Sequence, residues 1–226
     1  MPSSIWLNRI VAMARKEAQS LWRSRTGLWT AALFCFTAAT AVGIATFGQE
    51  VSPWLGSGLI WVTLLFAAAV NSPQTFAIEQ EQGTLDLLRT IADPYTVYWG
   101  KSLVAMLALI VLGGLTCLLL VALLGLEPKS PFWLLASVLA GAPALAGTMT
   151  LSGALTVRAE GRSPLAAAIA LPLVMPVAFL GIAATRSSLA GGALQWEGSA
   201  VLGLLSYAAI SQALGPYLLA AVWRER

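Results

Sequence analysis

Six long uncharged runs, 26–49, 51–78, 102–126, 130–157, 163–185 and 198–223, alternate with short polar stretches along this 226-residue chain. The shortest holds 23 residues, and about 20 apolar residues suffice to cross a bilayer as a helix. In lipid such runs must be helical, because hydrocarbon offers no partner to an unpaired backbone N–H or C=O. A barrel would instead show alternating strands of about ten residues, and these runs do not alternate. The pattern predicts an all-α integral membrane protein with six transmembrane helices, a single membrane domain over 1–226. The spans are expected at about 28–47, 54–73, 102–125, 132–156, 164–185 and 200–222.

Two stretches depart from this monotony. Residues 5–25 are amphipathic when wound at about 100° per residue. Leu7, Ile10, Val11, Ala14, Ala18, Leu21 and Trp22 share one side, and Asn8, Arg9, Arg15, Lys16, Gln19 and Arg23 the other. That predicts a helix lying in the membrane interface; a merely solvated basic tail would lack the apolar stripe. The second stretch, 74–101, contains four acids, Arg89 and Lys101, punctuated by Gly83, Pro94 and Gly100. Asn71-Ser72-Pro73 ends the second span, and 74–90 predicts a further helix that Asp93-Pro94 stops. Its acids lie towards its start and Arg89 near its end, which suits the helix dipole. From the residues alone this stretch is either a transmission helix with a polar outward face or a solvated loop.

Charge adds orientation. Only 10% of the residues are charged, against about 25% in a soluble domain. With the N-terminus inside, the inner segments hold Arg9, Arg15, Lys16, Arg23, Arg25, Arg89, Lys101, Arg158, Arg162, Arg224 and Arg226, and the outer loops only Lys129 and Arg186. This positive-inside bias predicts that both termini are cytoplasmic. Trp29, Trp54, Trp99, Trp133, Trp196 and Trp223 fall near span ends, where amphipathic rings favour the interface. The net charge of +3 then needs no nucleic acid to explain it.

Candidate chemistry is mostly excluded. Histidine is absent, so the chain supplies no catalytic triad, zincin motif, imidazole relay or histidine ligand for haem. No span centre holds Asp, Glu, Lys or Arg, whereas ion-coupled transporters place ionisable groups there. No inverted repeat or GxxxG motif stands out. Cys35 and Cys117 lie inside spans 1 and 3, where a thiol acts as a small hydrophobe; no metal spacing exists. Trp99-Gly100-Lys101-Ser102 ends like a phosphate-binding loop, but Tyr95 occupies the position of the required first glycine and no strand precedes it. No catalytic residue is expected, and any energy source belongs to a partner. Pro172 and Pro176 in span 5 free backbone carbonyls, either as a structural kink or as a flexing, substrate-lining helix.

The sequence Glu79-Gln-Glu81-Gln-Gly83-Thr84-Leu85-Asp86-Leu87-Leu88, followed by Pro94 and Gly100-Lys101, resembles the pattern after span 2 in permeases of type-2 ATP-binding-cassette (ABC) exporters. Gly58-Leu-Ile-Trp61-Val, Gly141-Ala-Pro143, Ala154-Leu155-Thr156 and Leu171-Pro172-Leu173-Val174-Met175-Pro176 narrow the resemblance to the haem exporter protein B (CcmB) family. That family is the B membrane subunit of the cytochrome c maturation system. The likeness runs from about residue 55 to 180, with Ser72-Pro73-Gln74-Thr75 less charged than in some members.

The resemblance implies a non-enzymatic permease in the bacterial inner membrane, with ATP bound by a partner and haem as the cargo of the complex. It implies two copies of the chain with a cytoplasmic ABC ATPase (CcmA-like), a haem-handling membrane subunit (CcmC-like) and a small subunit (CcmD-like). Hydrolysis would be linked to release of a haem-loaded chaperone. Glu79, Glu81, Gly83, Thr84, Leu85, Asp86, Leu88 and Arg89 become the ATPase-coupling surface, and Trp61 and Pro143 pathway or packing positions. The alternatives are an exporter permease for a lipid, drug or glycan, and a non-transporting membrane scaffold.

Overall fold

A computed structural model describes residues 3–24, 26–71, 76, 79, 83–158, 163–191 and 194–224. Among them are eight helices and no strand: α1 (Ser3–Ser24), α2 (Thr26–Ala45), α3 (Pro53–Asn71), α4 (Leu85–Ile91), α5 (Pro94–Leu123), α6 (Pro131–Arg158), α7 (Ser163–Ala190) and α8 (Leu194–Arg224). Five of these, α2, α5, α6, α7 and α8, contain stretches long and apolar enough to cross a membrane, while α3 offers a shorter apolar stretch, Pro53–Ala69. The chain is thus an all-helical integral membrane protein.

Helix α6 is the hub, packed against α5, α7 and α8; α2 and α3 lie beyond α5, and α3 also meets α7. Small side chains make this possible. Ala140, Ala142, Ala144 and Ala146 of α6 are buried, so neighbouring helices approach closely, the usual device where lipid supplies no hydrophobic drive between helices. Trp61 of α3 is fully buried in the main core. A Cβ at Gly141 of α6 or Gly181 of α7 would overlap its ring, so the two glycines form the slot that receives the indole. Its Nε1 donates to Thr185 Oγ1 at 2.9 Å, and Thr185 Oγ1 in turn lies 3.0 Å from Ser137 Oγ. The buried cysteines stay apart as free thiols; Cys35 accepts from Thr116 Oγ1 at 3.2 Å across the α2–α5 contact.

Several boundaries differ from expectation. Residues 74–90 do not form one helix: Gly83 has φ +66°, and α4 begins only at Leu85. Thr84 N–H donates to the Glu79 carbonyl across that glycine at 2.9 Å, the left-handed exit that glycine makes cheap. The third apolar helix starts at Pro94, eight residues before the uncharged run begins, because proline is well placed in a first helical turn where no N–H partner is needed. At 30 residues α5 is about 45 Å long, longer than the hydrocarbon of a bilayer. Pro143, Pro172, Pro176 and also Pro216 sit inside continuous helices. Pro172 and Pro176 lie on the exposed side of α7, and the nearby Leu173 carbonyl accepts from Tyr207 of α8 at 2.5 Å.

Helix α1 is amphipathic as expected, but its apolar side is divided. Ile10 and Met13 are buried against the bundle, while Leu7, Val11 and Trp22 are exposed. The crossing of α1 over α5 is fixed at Gly100, where an added Cβ would come within 2.7 Å of Met13 Cβ. Gly100→Val should therefore lift α1 and raise its cleavage in limited proteolysis. Gly58→Ala, with nothing within 4 Å of the new methyl, should be neutral or stabilising, since alanine is the better helix former.

Candidate functional site

The sequence singled out 74–101, and the structure builds around it a second, smaller core at the α1 end of the bundle. Met13 of α1, Phe76, Leu85 and Leu88 of α4, Val97 and Tyr98 of α5, Ala154 of α6 and Leu219 of α8 make up this core, with Ala92 and Trp223 packed against it. The α4 segment is thereby clamped onto the ends of three long helices.

Four charged side chains lie in this junction. Lys101, on the second turn of α5, is 1% exposed, and Glu17 of α1 and Glu79 are each 6% exposed. Lys101 Nζ lies 3.0 Å from Glu17 Oε1 and 3.2 Å from Glu79 Oε2, and 4.7 Å over the Phe76 ring. Lys16, half exposed, reaches Glu17 Oε1 at 3.1 Å and also pairs with Glu79 Oε1. Two lysines and two glutamates cancel, which is the condition for burying charge at tolerable cost. Burial alone would lower the Lys16 pKa, but its hydrogen bonds and the fields of Glu79 and Glu17 outweigh this, so it stands above the ordinary lysine value. Its stabilising contribution is complete below the unfolded-state lysine pKa and fades only as pH rises through the higher folded value.

Of the residues predicted for the coupling surface, all but Glu81 and the Asp86 side chain have a described place. Glu79 turns inward to the charge cluster. Leu85 and Leu88 are buried anchors of α4. Gly83 and Thr84 are exposed at the turn, and Thr84 Oγ1 lies 3.3 Å from the Glu79 carbonyl. Arg89 sits 5.9 Å over the Trp223 ring of α8. Asp86 lies on α4, but its side chain, like all of Glu81, residues 72–75 and residues 159–162, is outside the described residues. Among the described side chains of α4, two large apolar ones project outward, Leu87 at 60% and Ile91 at 73% exposed, with Thr90 also exposed. Sequence reasoning passed over this pair because leucines in an apolar chain carry no signal, though their i, i+4 spacing puts them on one face.

A polar seam leads from the cluster into the bundle. Ser102, next to Lys101, lies 2.7 Å from Gln212 Nε2 on α8, and Gln212 Nε2 also donates to the Pro143 carbonyl of α6 at 3.0 Å. Tyr98 Oη donates to the carbonyls of Gly147 and Ser211 at 3.2 and 3.1 Å. The Pro143 carbonyl thus takes part in this seam, while Trp61 lies in the main core. At the opposite end, Arg186 lies 4.2 Å over Trp54, beside an apolar groove of about 470 Å³ between α7 and α8. Among the described residues, no three of Cys, Asp, Glu and His converge as metal ligands.

Residues 8–225 match the family described as CcmB protein. The heme exporter protein B of Rhodobacter capsulatus is 30% identical over 215 residues, covering 94% of this chain and 97% of that protein. Its counterpart in Paracoccus denitrificans is 29% identical over 220 residues, with the same coverage. That of Pseudomonas aeruginosa is 30% identical over 224 residues, covering 91% and 92%.

Proposed function

The chain belongs to the CcmB protein family, and on that premise we propose that it is the membrane subunit of an ABC-type haem exporter serving cytochrome c biogenesis. The chain has no phosphate-binding loop of its own, so a cytoplasmic ATPase hydrolyses the ATP. In this reading α3 is the sixth span, since its 19 residues fall within the range of about 17–25 that membrane helices use. Both termini face the cytoplasm of a bacterial inner membrane, following the bias of Lys and Arg. Two copies work with the ATPase, a haem-handling subunit and a small subunit, and hydrolysis drives release of the haem-loaded chaperone.

The observation that carries this reading is the outward face of α4. Leu85 and Leu88 hold the helix to the bundle while Leu87 and Ile91 project from it. On the side assigned to the cytoplasm, such a pair is an apolar anchor for a soluble partner. Leu87→Glu with Ile91→Glu should reduce ATPase co-purification about tenfold or more, because each anchor buries a side chain worth about 1.5–3 kcal/mol. The melting temperature of the chain itself should not change, as neither residue is in the core. Unchanged ATPase recovery would overturn the reading.

A further inference from the structure

We propose that the buried cluster of Lys101, Glu17 and Glu79 is the joint through which movement of the α4 segment reaches α5, making Lys101 and Glu79 positioning residues rather than docking contacts. The proposal rests on the reading that an ATPase engages α4. Residues 17, 79 and 101 are far apart in sequence, yet one ammonium group lies within 3.2 Å of both carboxylates. Apolar contacts such as Phe76, Leu85 and Leu88 resist separation but not sliding, because hydrophobic attraction has no direction. A buried ion pair does resist sliding, since moving one partner strands the other in a medium that cannot solvate it. A force on α4 would therefore displace Glu79, and Lys101 would follow with α5, drawing α1 along through Glu17.

What lies beyond Lys101 supports the same assignment. Ser102 is held by Gln212 of α8, and Gln212 by the Pro143 carbonyl of α6. Displacement of the α5 start is thus felt at once by α6 and α8, the most extensively packed pair of helices in the bundle. Lys16 closes the cluster from the solvent side, so a neutral Glu79 would leave Lys101 still paired with Glu17 and Lys16 free to reach water. Glu79 is for that reason the position where the joint can be cut while Lys101 keeps one carboxylate partner, Glu17.

The test uses the whole complex, purified and also assayed in cells. Glu79→Gln should leave ATPase co-purification at the wild-type value and lower the melting temperature less than Lys101→Ala does, because Lys101 keeps Glu17 as a partner. The yield of mature cytochrome c should fall about fivefold or more, the scale of an ordinary coupling energy, while ATP hydrolysis by the complex persists. Glu79→Asp, which keeps the carboxylate, should recover most of the yield. Full yield with Glu79→Gln would overturn the proposal, and so would loss of ATPase binding, which would make Glu79 a docking contact. A wild-type complex that contains no ATPase would overturn the underlying reading as well, a failure separable from the other two.

Discussion

Lys101→Ala should lower the stability of the folded chain by about 3–5 kcal/mol, the usual consequence of removing one partner from a buried ion pair. The reason is electrostatic more than steric. Glu17 and Glu79 would face each other across the vacated space with only the half-exposed Lys16 between them. Thermal unfolding in detergent would report the loss, and adding Glu17→Gln should restore part of it, because that removes the surplus negative charge. The double-mutant cycle separates the share due to Glu17 from the rest, which includes loss of the ammonium over the Phe76 ring. A loss below about 1 kcal/mol would mean that the cluster behaves as an exposed ion pair, and the burial argument would fail.

Trp61→Ala should be nearly as damaging, at about 3–5 kcal/mol for deleting a large buried side chain. The slot between Gly141 and Gly181 has no Cβ of its own to fall back into the space, so collapse is poor and the cost belongs at the upper end. Trp61→Phe keeps most of the packing and loses the donor to Thr185, which isolates a hydrogen bond worth about 1 kcal/mol. Comparing the two melting temperatures distinguishes a packing role from a polar one. A mild effect from Trp61→Ala would indicate that lipid or neighbouring side chains fill the site.

The sequence disclosed the helices through their missing charges, since a run without Asp, Glu, Lys or Arg has one stable form in lipid. It also exposed 74–101 as a special stretch. It could not divide the apolar side of α1 between protein and lipid, because Ile10, Met13, Leu7 and Val11 are equally apolar to either neighbour. Glu17 carries no signal of its own within a basic helix, because its place depends on residues 62 and 84 positions away. Lys101 at the edge of an uncharged run resembled an interfacial anchor, the commoner use of such a lysine. The slot for Trp61 was equally hidden, although both of its glycines were in view, because a glycine in a membrane helix does not announce which helix it admits.

Of the four longest helices, α6, α7 and α8 each carry proline in their interior, whereas the sole proline of α5 stands in its first turn. With no interior proline, α5 alone of these four keeps every N–H donor beyond its first turn along about 45 Å. Rods magnify angles. A tilt of about 10° about Lys101 would carry the Leu123 end, about 33 Å away, sideways by roughly 6 Å, more than half the usual spacing of packed helices. Its proline-bearing neighbours are the members able to bend around it. Leverage of this kind needs no flexible hinge in the membrane, only a firm grip at one end.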